Sequence, residues 1–343
     1  MKKFIFFRND RLGDFLILTN IIKKIKEKYR DSHITVIASP YNYKFIKEYN
    51  VINKVYLYNK NNSLLSKIFL IKHILKNKYF ASFAVDGKSF SNFCNFLIKS
   101  KYKLGLVYRF KFLNIWLTKP NFFYNYFIFD KFEFFTSKKH LSKIEHLPKK
   151  LINLGNFLNL NIKLSDKYYF EVNRQEEIKF NKFKYLKKKY ILFHFDEKWT
   201  DISDVENNLF KNLLFLSQKL NKNIIITSFK NNFTYFKNLK KKIMNSNYKR
   251  IYIVENSNLY FFERLIKHSL CSISCHSGYL VQIAGSNSSK LIDIINKIDY
   301  NWYSCWKPRN TKHKFIYKSL KSKRSINLIF DDLMLALKSF KND

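Results

Sequence analysis

The chain holds 343 residues, too many for most single cores and suited to two domains of about 150 residues each. Hydrophobic residues make up 46% of it, enough to pack a globular interior and to exclude a disordered chain. The formal net charge of +39 points toward anionic partners. A blander account stands beside that one: Lys, Asn, Ile, Phe and Tyr are abundant while Gly, Pro and Met are scarce, a balance that AT-rich codons produce without functional demand.

Residues 3–7 read as a strand and 14–29 as an apolar-faced helix. A strand follows at 33–38, a short helix at 41–48, a strand at 54–58, a helix at 64–76 and a strand at 80–85. Residues 106–135 break this rhythm: thirteen of the 28 residues from Tyr108 to Phe135 are aromatic, interleaved with Arg109, Lys111, Lys119 and Lys131. Rings settle at headgroup level and lysines pair with anionic lipid, so the segment is expected to face a membrane; packing of the N-terminal domain is the competing reading. A helix is expected over 142–159 and a polar linker around 161–185.

The pattern then restarts. Strands are expected at 190–195, 223–229, 250–254, 270–275 and 290–295, with helices at 205–220, 233–245, 260–269 and 279–285 and a closing helix at 326–340. Strands that alternate with helices argue parallel α/β sheets. Two such runs in succession predict two Rossmann-like domains facing across a cleft, with ligands at the carboxyl ends of strands. The expected division is an N-terminal domain over 1–160, a linker region over 161–189, a C-terminal domain over 190–325 and a closing helix over 326–343.

Three stretches carry chemistry. The first is RNDRLGD, where strand one ends and helix one begins, with Arg8, Asp10, Arg11, Gly13 and Asp14 in seven residues. Gly13 permits a tight turn or a close backbone approach. Asp14 could cap the helix; a carboxylate at this edge could equally take a proton from a substrate hydroxyl. The second is HFDEKWTDIS, in which Lys198 could meet a phosphate as a point charge or be an ordinary surface lysine. The third is SCHSGYLVQIAG: a strand, then His276, Ser277 and Gly278, then a helix whose free N–H groups suit a pyrophosphate. The four cysteines lack disulfide-framework spacing. Cys271-x3-Cys275-His276 fits neither haem attachment nor a complete zinc set, so no metal is expected. Lys2 and Lys3 lead into only four apolar residues before Arg8, and no uncharged apolar run reaches the ~18 residues of a spanning helix. A reduced, cytoplasmic protein is expected, with peripheral attachment to the inner face of the cytoplasmic membrane as an addition to that reading.

Taken in order, these stretches resemble glycosyltransferase family 9, the ADP-heptose:lipopolysaccharide heptosyltransferases. The family's opening R-x-D-x-x-G-D-type run is matched by Arg8, Asp10, Gly13 and Asp14. Its acidic-Gly segment is similar to Val85-Asp86-Gly87-Lys88, and its K-x-x-x-G step to Lys101–Gly105. Lys198-Trp199 matches its Lys-Trp pair, His276-Ser277-Gly278 its Ser/Thr-Gly turn, and Trp306-Lys307-Pro308 its tryptophan-proline segment. The likeness spans about 1–310. It implies a GT-B fold, an inverting and metal-independent transfer, and no cofactor beyond a nucleotide-diphosphate sugar such as ADP-heptose, held by the C-terminal domain. The acceptor implied is lipopolysaccharide or another cell-envelope glycan. Asp14 falls on the general base and Lys198 on the phosphate-contacting lysine; Asp10, Arg11, Gly13, Asp86, His276, Ser277 and Gly278 fall at substrate-binding positions. The chain departs from the pattern in three places: His276 stands for an acid, Val281 for a histidine, and Ser228–Asn232 for a Gly-Glu segment. A catalytically degenerate homologue that binds nucleotide sugar or scaffolds glycan assembly is therefore the alternative. A nucleic-acid partner is not expected, because neither a basic cluster nor a known binding motif is present.

Overall fold

The computed structural model describes the chain except residues 114, 120–127, 230–232, 256–257, 308–310, 321 and 341–343, and the side chain of residue 184. The chain divides into two compact units. One is Met1–Glu171 with Ser304–Trp306, the other Val172–Tyr303 with Lys307–Asp343.

The N-terminal unit runs β1 (Lys3–Arg8), α1 (Leu12–Lys28), β2 (His33–Ala38), α2 (Tyr43–Ile46), β3 (Lys54–Leu57), α3 (Leu64–Leu75), β4 (Tyr79–Ala84), α4 (Ser89–Leu97), β5 (Ser100–Phe112), β6 (Ile115–Lys119), β7 (Lys131–Thr136) and α5 (Leu147–Asn156). The sheet order is β3-β2-β1-β4-β5-β6, with β7 also on β5; all pairings are parallel except β5 with β6. A central parallel strand is covered on both faces and so reads as a continuous apolar run. Phe4, Ile5, Phe6 and Phe7 of β1 are all fully buried, and Phe6 stacks on Phe83 of β4 with centroids 4.4 Å apart. The chain leaves β1 toward β2 on one side and returns as β4 on the other, so a topological switch point lies at the carboxyl ends of β1 and β4. Arg8 and Val85 stand there.

The C-terminal unit runs α6 (Arg174–Asn181), β8 (Tyr190–His194), α7 (Val205–Leu220), β9 (Asn223–Ser228), α8 (Thr234–Met244), β10 (Ile251–Glu255), α9 (Leu259–His268), β11 (Cys271–Ser274), α10 (Gly278–Ser286), β12 (Leu291–Asn296), α11 (Tyr300–Ser304, whose last residue joins the first unit), β13 (His313–Ser319) and α12 (Ile326–Ser339). Its order is β10-β9-β8-β11-β12-β13, parallel throughout. The switch point falls between β8 and β11. Helix α12 adds Ile326, Ile329, Phe330 and Leu333 to this unit's core, beside Phe193 and Trp199.

The structure departs from the sequence reading where apolar period is faint. Helix α4 turns Ser91, Asn92 and Asn95 inward beside Cys94, so its buried side carries little hydrophobic signal. Helix α6 lies in the expected linker. Its anchor is Phe180, stacked on His268 at 5.2 Å, with Glu177 paired to Arg264 at 3.2 Å. Strand β13, at the sheet edge, carries only Phe315–Tyr317 as an apolar run, between Lys314 and Lys318. In the aromatic stretch, Leu106, Val107, Phe129 and Phe135 are core, which corrects the membrane reading for those residues. Phe112, Leu113, Ile115 and Trp116 of the β5–β6 hairpin are exposed, and residues 114 and 120–127 lie outside the described residues, as does Pro308 of the tryptophan-proline segment. All four cysteines are buried thiols.

Gly105 shows how tightly β5 is packed: a Cβ there would lie 2.1 Å from the Phe129 ring. Gly105→Ala is expected to cost about 1–3 kcal/mol in urea unfolding. Phe129→Ala in the same chain should absorb part of that cost, so additive losses would show that the ring is not the obstacle.

Candidate active site

At the N-terminal switch point, β1 ends on a cation that the fold buries. Arg8 is 1% exposed. Its Nη1 donates to the Val85 carbonyl, its Nε lies 3.2 Å from Asp10 Oδ1, and its Nη2 lies 3.4 Å from Asp14 Oδ1. The loop after β2 braces the turn: Asn42 Nδ2 donates to the Arg8 carbonyl at 2.9 Å, and Ser39 Oγ to the Asp10 carbonyl at 2.5 Å. From the β4 side, Asp86 accepts from Asn9 N at 3.3 Å, Ser91 Oγ at 2.7 Å and Lys88 N at 3.0 Å. Lys88 Nζ reaches the Asn9 carbonyl.

The Asp10 and Asp14 side chains each remain 20% open. Burial raises the proton affinity of both. Asp10 is pushed well above the ordinary carboxylate value, with Arg8 opposing and the charges of Asp14 and Asp86 adding. Asp14 is raised as well, against Arg8 and a hydrogen bond with the Arg11 backbone. Asp86 is raised by burial and held back by Ser91 and Lys88. Carboxyls of raised proton affinity beside one cation are an arrangement from which general acid and base roles arise.

In the C-terminal unit the turns after β8 and β11 meet. Lys198 Nζ donates to the His276 carbonyl at 2.5 Å, and Lys198 N to Asp196 Oδ1 at 3.1 Å. Trp199 is fully buried and donates from Nε1 to the His194 carbonyl at 3.1 Å. His276 adopts φ of 48°, a left-handed conformation uncommon outside glycine, and turns the chain into α10. The first backbone hydrogen bond of that helix runs from Val281 N to Ser277 O at 3.0 Å. The N–H groups of Gly278, Tyr279 and Leu280 thus precede the ladder, as at every helix start. A Cβ at Gly278 would meet nothing within 4 Å, so this helix start faces open space.

His276 is itself held. Its Nδ1 lies 2.6 Å from Asp293 Oδ2, and its ring stacks on Tyr303 at 3.4 Å; His313 Nε2 stands 3.7 Å from the same carboxylate oxygen. Burial works to raise Asp293, but the two imidazoles outweigh it and hold the carboxyl far below its usual range. Burial lowers His276 despite Asp293. Asp196 is pushed up to about 6 by burial, against Lys198. His194 falls to about 3, also through burial, with Tyr279 Oη against its Nε2.

The structure thus brings Asp10 and Asp14 together around Arg8, with Asp86 tied to the same turn, and brings Lys198 to the carbonyl of His276, which precedes Ser277 and Gly278 in the chain. Two expectations are corrected. Gly13 is the second residue of α1 and does not turn the chain; among the described glycines only Gly87 has positive φ. Asp14 is not the N-cap, a place that Arg11 takes with no side-chain bond. Asp86 accepts from Asn9 N, Lys88 N and Ser91 Oγ, which brace it on this turn. Asp293, His313, Asp196 and Tyr279 escaped the sequence reading, for they lie on separate elements or mimic ordinary strand and helix residues. Among the described residues no group of three or more His, Cys, Asp or Glu could hold a metal ion.

The raised carboxyls fix a sign. An unfolded Asp releases its proton near pH ~4, whereas folded Asp10 keeps it to higher pH. Over that window the folded state binds more protons, and stability falls as pH rises. Asp10→Asn removes this term. The variant is expected to exceed the parent in stability at pH 7 in urea unfolding, with the gain shrinking toward pH 4. A pH-independent loss would contradict the burial argument.

No family model matches the sequence, and no curated protein matches it. Solved structures do match in fold. The ADP-heptose lps heptosyltransferase II of E. coli superposes with a TM-score of 0.66 at 10% identity, over 99% of this chain and 98% of that one. The glycosyl transferase family 9 protein of Veillonella parvula gives 0.65 at 12%, over 99% and 97%. The UDP-GlcNAc 2-epimerase of Neisseria meningitidis, bound to UDP-GlcNAc, gives 0.55 at 14%, over 99% and 93%. With two Rossmann-like units, each built on a parallel sheet with its own switch point, and with these structural relatives over nearly its whole length, the chain has the GT-B fold.

Proposed function

We propose that the protein is an inverting glycosyltransferase that moves a sugar, heptose or similar, from a nucleotide-diphosphate donor to a lipopolysaccharide or other cell-envelope glycan. The observation that carries the reading is Asp14: a carboxyl of raised proton affinity, partly open, at the switch point of a GT-B fold. Solved relatives named for ADP-heptose or bound to UDP-GlcNAc support a nucleotide sugar as donor.

In this reading the acceptor hydroxyl attacks the anomeric carbon from the side opposite the diphosphate. Asp14 takes the hydroxyl proton as the new C–O bond forms. The bond from the anomeric carbon to the diphosphate oxygen breaks, and the nucleoside diphosphate leaves with its electron pair. Lys198 and the N–H groups that open α10 stabilise the departing charge, so the transfer needs no metal. Asp10 shares the Arg8 guanidinium with Asp14, so the two carboxyls release their protons as a coupled pair. A lipid-anchored acceptor would add a peripheral membrane contact. The altered His276 and Val281 keep the non-catalytic nucleotide-sugar binder as the second reading; it predicts donor binding without turnover.

Asp14→Asn keeps size and loses basicity. Transfer is expected to fall about 10²-fold or more while donor-induced thermal stabilisation persists. Near-normal transfer by the folded variant would return Asp14 to a helix-start role.

Lys198→Ala is expected to weaken nucleoside-diphosphate binding in calorimetry, and EDTA is expected to change neither binding nor rate. Activity that vanishes with EDTA and returns with Mg²⁺ would overturn the metal-free step.

A further inference from the structure

Helices α3 and α4 cover one face of the N-terminal sheet. Ile74 of α3 and Cys94 of α4 pack with Ile5, Phe7 and Val107 in one cluster, against which Leu70 and Phe90 also lie. The outward sides of these helices are apolar too: Leu64 is 72% exposed, Leu65 68% and Phe69 60% on α3, and Phe93 52% and Phe96 50% on α4. The β5–β6 hairpin extends the same face, because the Arg109 guanidinium lies over both Trp116 at 5.1 Å and Phe134 at 5.9 Å, and Phe134 packs on that cluster.

The charge on this region has one sign. Between Tyr49 and Phe129 the sequence carries thirteen Lys and Arg residues and a single acid, Asp86, which the turn after β4 binds internally. Lys67 and Lys72 lie on α3 among its exposed leucines, and Lys111 and Lys119 flank the hairpin. Their ammonium groups lie at the edge of this apolar surface: Lys67 Nζ donates to the Lys60 carbonyl at 2.8 Å, Lys111 Nζ sits 5.2 Å from the Trp116 ring centre and Lys119 Nζ 5.5 Å from that of Phe110. Exposed aliphatic side chains ringed by cations suit an interface with hydrocarbon below and anionic headgroups at its rim. A second copy of the chain would set like charges against one another in a two-fold contact.

We propose that this face of α3, α4 and the hairpin docks the protein on an anionic lipid bilayer, with Leu65, Phe69 and Trp116 entering the headgroup boundary. The surface alone would bind the bilayer, with no part taken by the carboxyls beside Arg8. The docking is tested without a sugar donor, so its failure and the failure of the glycosyltransferase reading are distinguishable.

The test is flotation of the intact chain with vesicles of phosphatidylcholine, with or without phosphatidylglycerol, at low and high salt. Co-flotation is expected with the phosphatidylglycerol vesicles, weakened by salt. Lys67→Glu and Lys111→Glu should each weaken it about fivefold or more, and Leu65→Glu with Phe69→Glu about tenfold or more, at unchanged circular dichroism. If the double variant loses its fold, the two lysine variants decide the matter. Three results would overturn the proposal: a chain that stays in solution beside phosphatidylglycerol vesicles, equal and salt-insensitive binding to pure phosphatidylcholine, or a dimer in sedimentation that Leu65→Glu dissolves.

Discussion

Burying the Arg8 guanidinium without partners would cost several kcal/mol, and the N-terminal unit is arranged around meeting that cost. The strand that carries Arg8 is apolar on both faces, so the residue cannot turn outward without drawing Phe6 and Phe7 from the core. Its partners are therefore brought to it: the Val85 carbonyl from β4, Asp10 from the turn and Asp14 from α1. The place is shielded from water, and burial raises the proton affinity of both acids against the opposing charge of Arg8. Fold stability and chemical readiness thus have a common source.

The C-terminal unit solves a related problem with other parts. It presents backbone N–H groups and a lysine at the carboxyl ends of β8 and β11, the place where a parallel α/β sheet offers positive potential. Its buried acid, Asp293, is held charged by two imidazoles, in contrast to the carboxyls beside Arg8. The paired His276 also explains how the left-handed turn before α10 is fixed: its side chain is clamped between Asp293 and Tyr303 while its carbonyl accepts from Lys198.

Much of the fold was legible because central parallel strands advertise themselves. HITVIA coincides with β2, and the apolar run at 190–195 with β8 extended by one residue. The site was legible where chemistry is local in sequence, as in RNDRLGD, whose charges interrupt two apolar elements. It was illegible where partners are distant. Nothing at Asp293 marks it as the mate of His276, seventeen residues earlier in the chain, and nothing at Val85 marks its carbonyl as the acceptor for Arg8. Helix α4 was missed because its buried face is polar, and the exposed side of α3 was passed over because a leucine on an amphipathic helix is ordinarily core. Gly13 misled for a different reason: glycine suggests a turn, and here it is helical.

The carboxyl carbons of Asp10 and Asp14, followed by NMR from acid to neutral pH, test the account most directly, since no donor or acceptor need be known. Both are expected to titrate above the ordinary carboxylate range near ~4, with Arg8→Lys changing both curves together. Two independent titrations at ordinary values would mean that the carboxyls are solvated, that Arg8 does not couple them, and that Asp14 has no special claim to be the base.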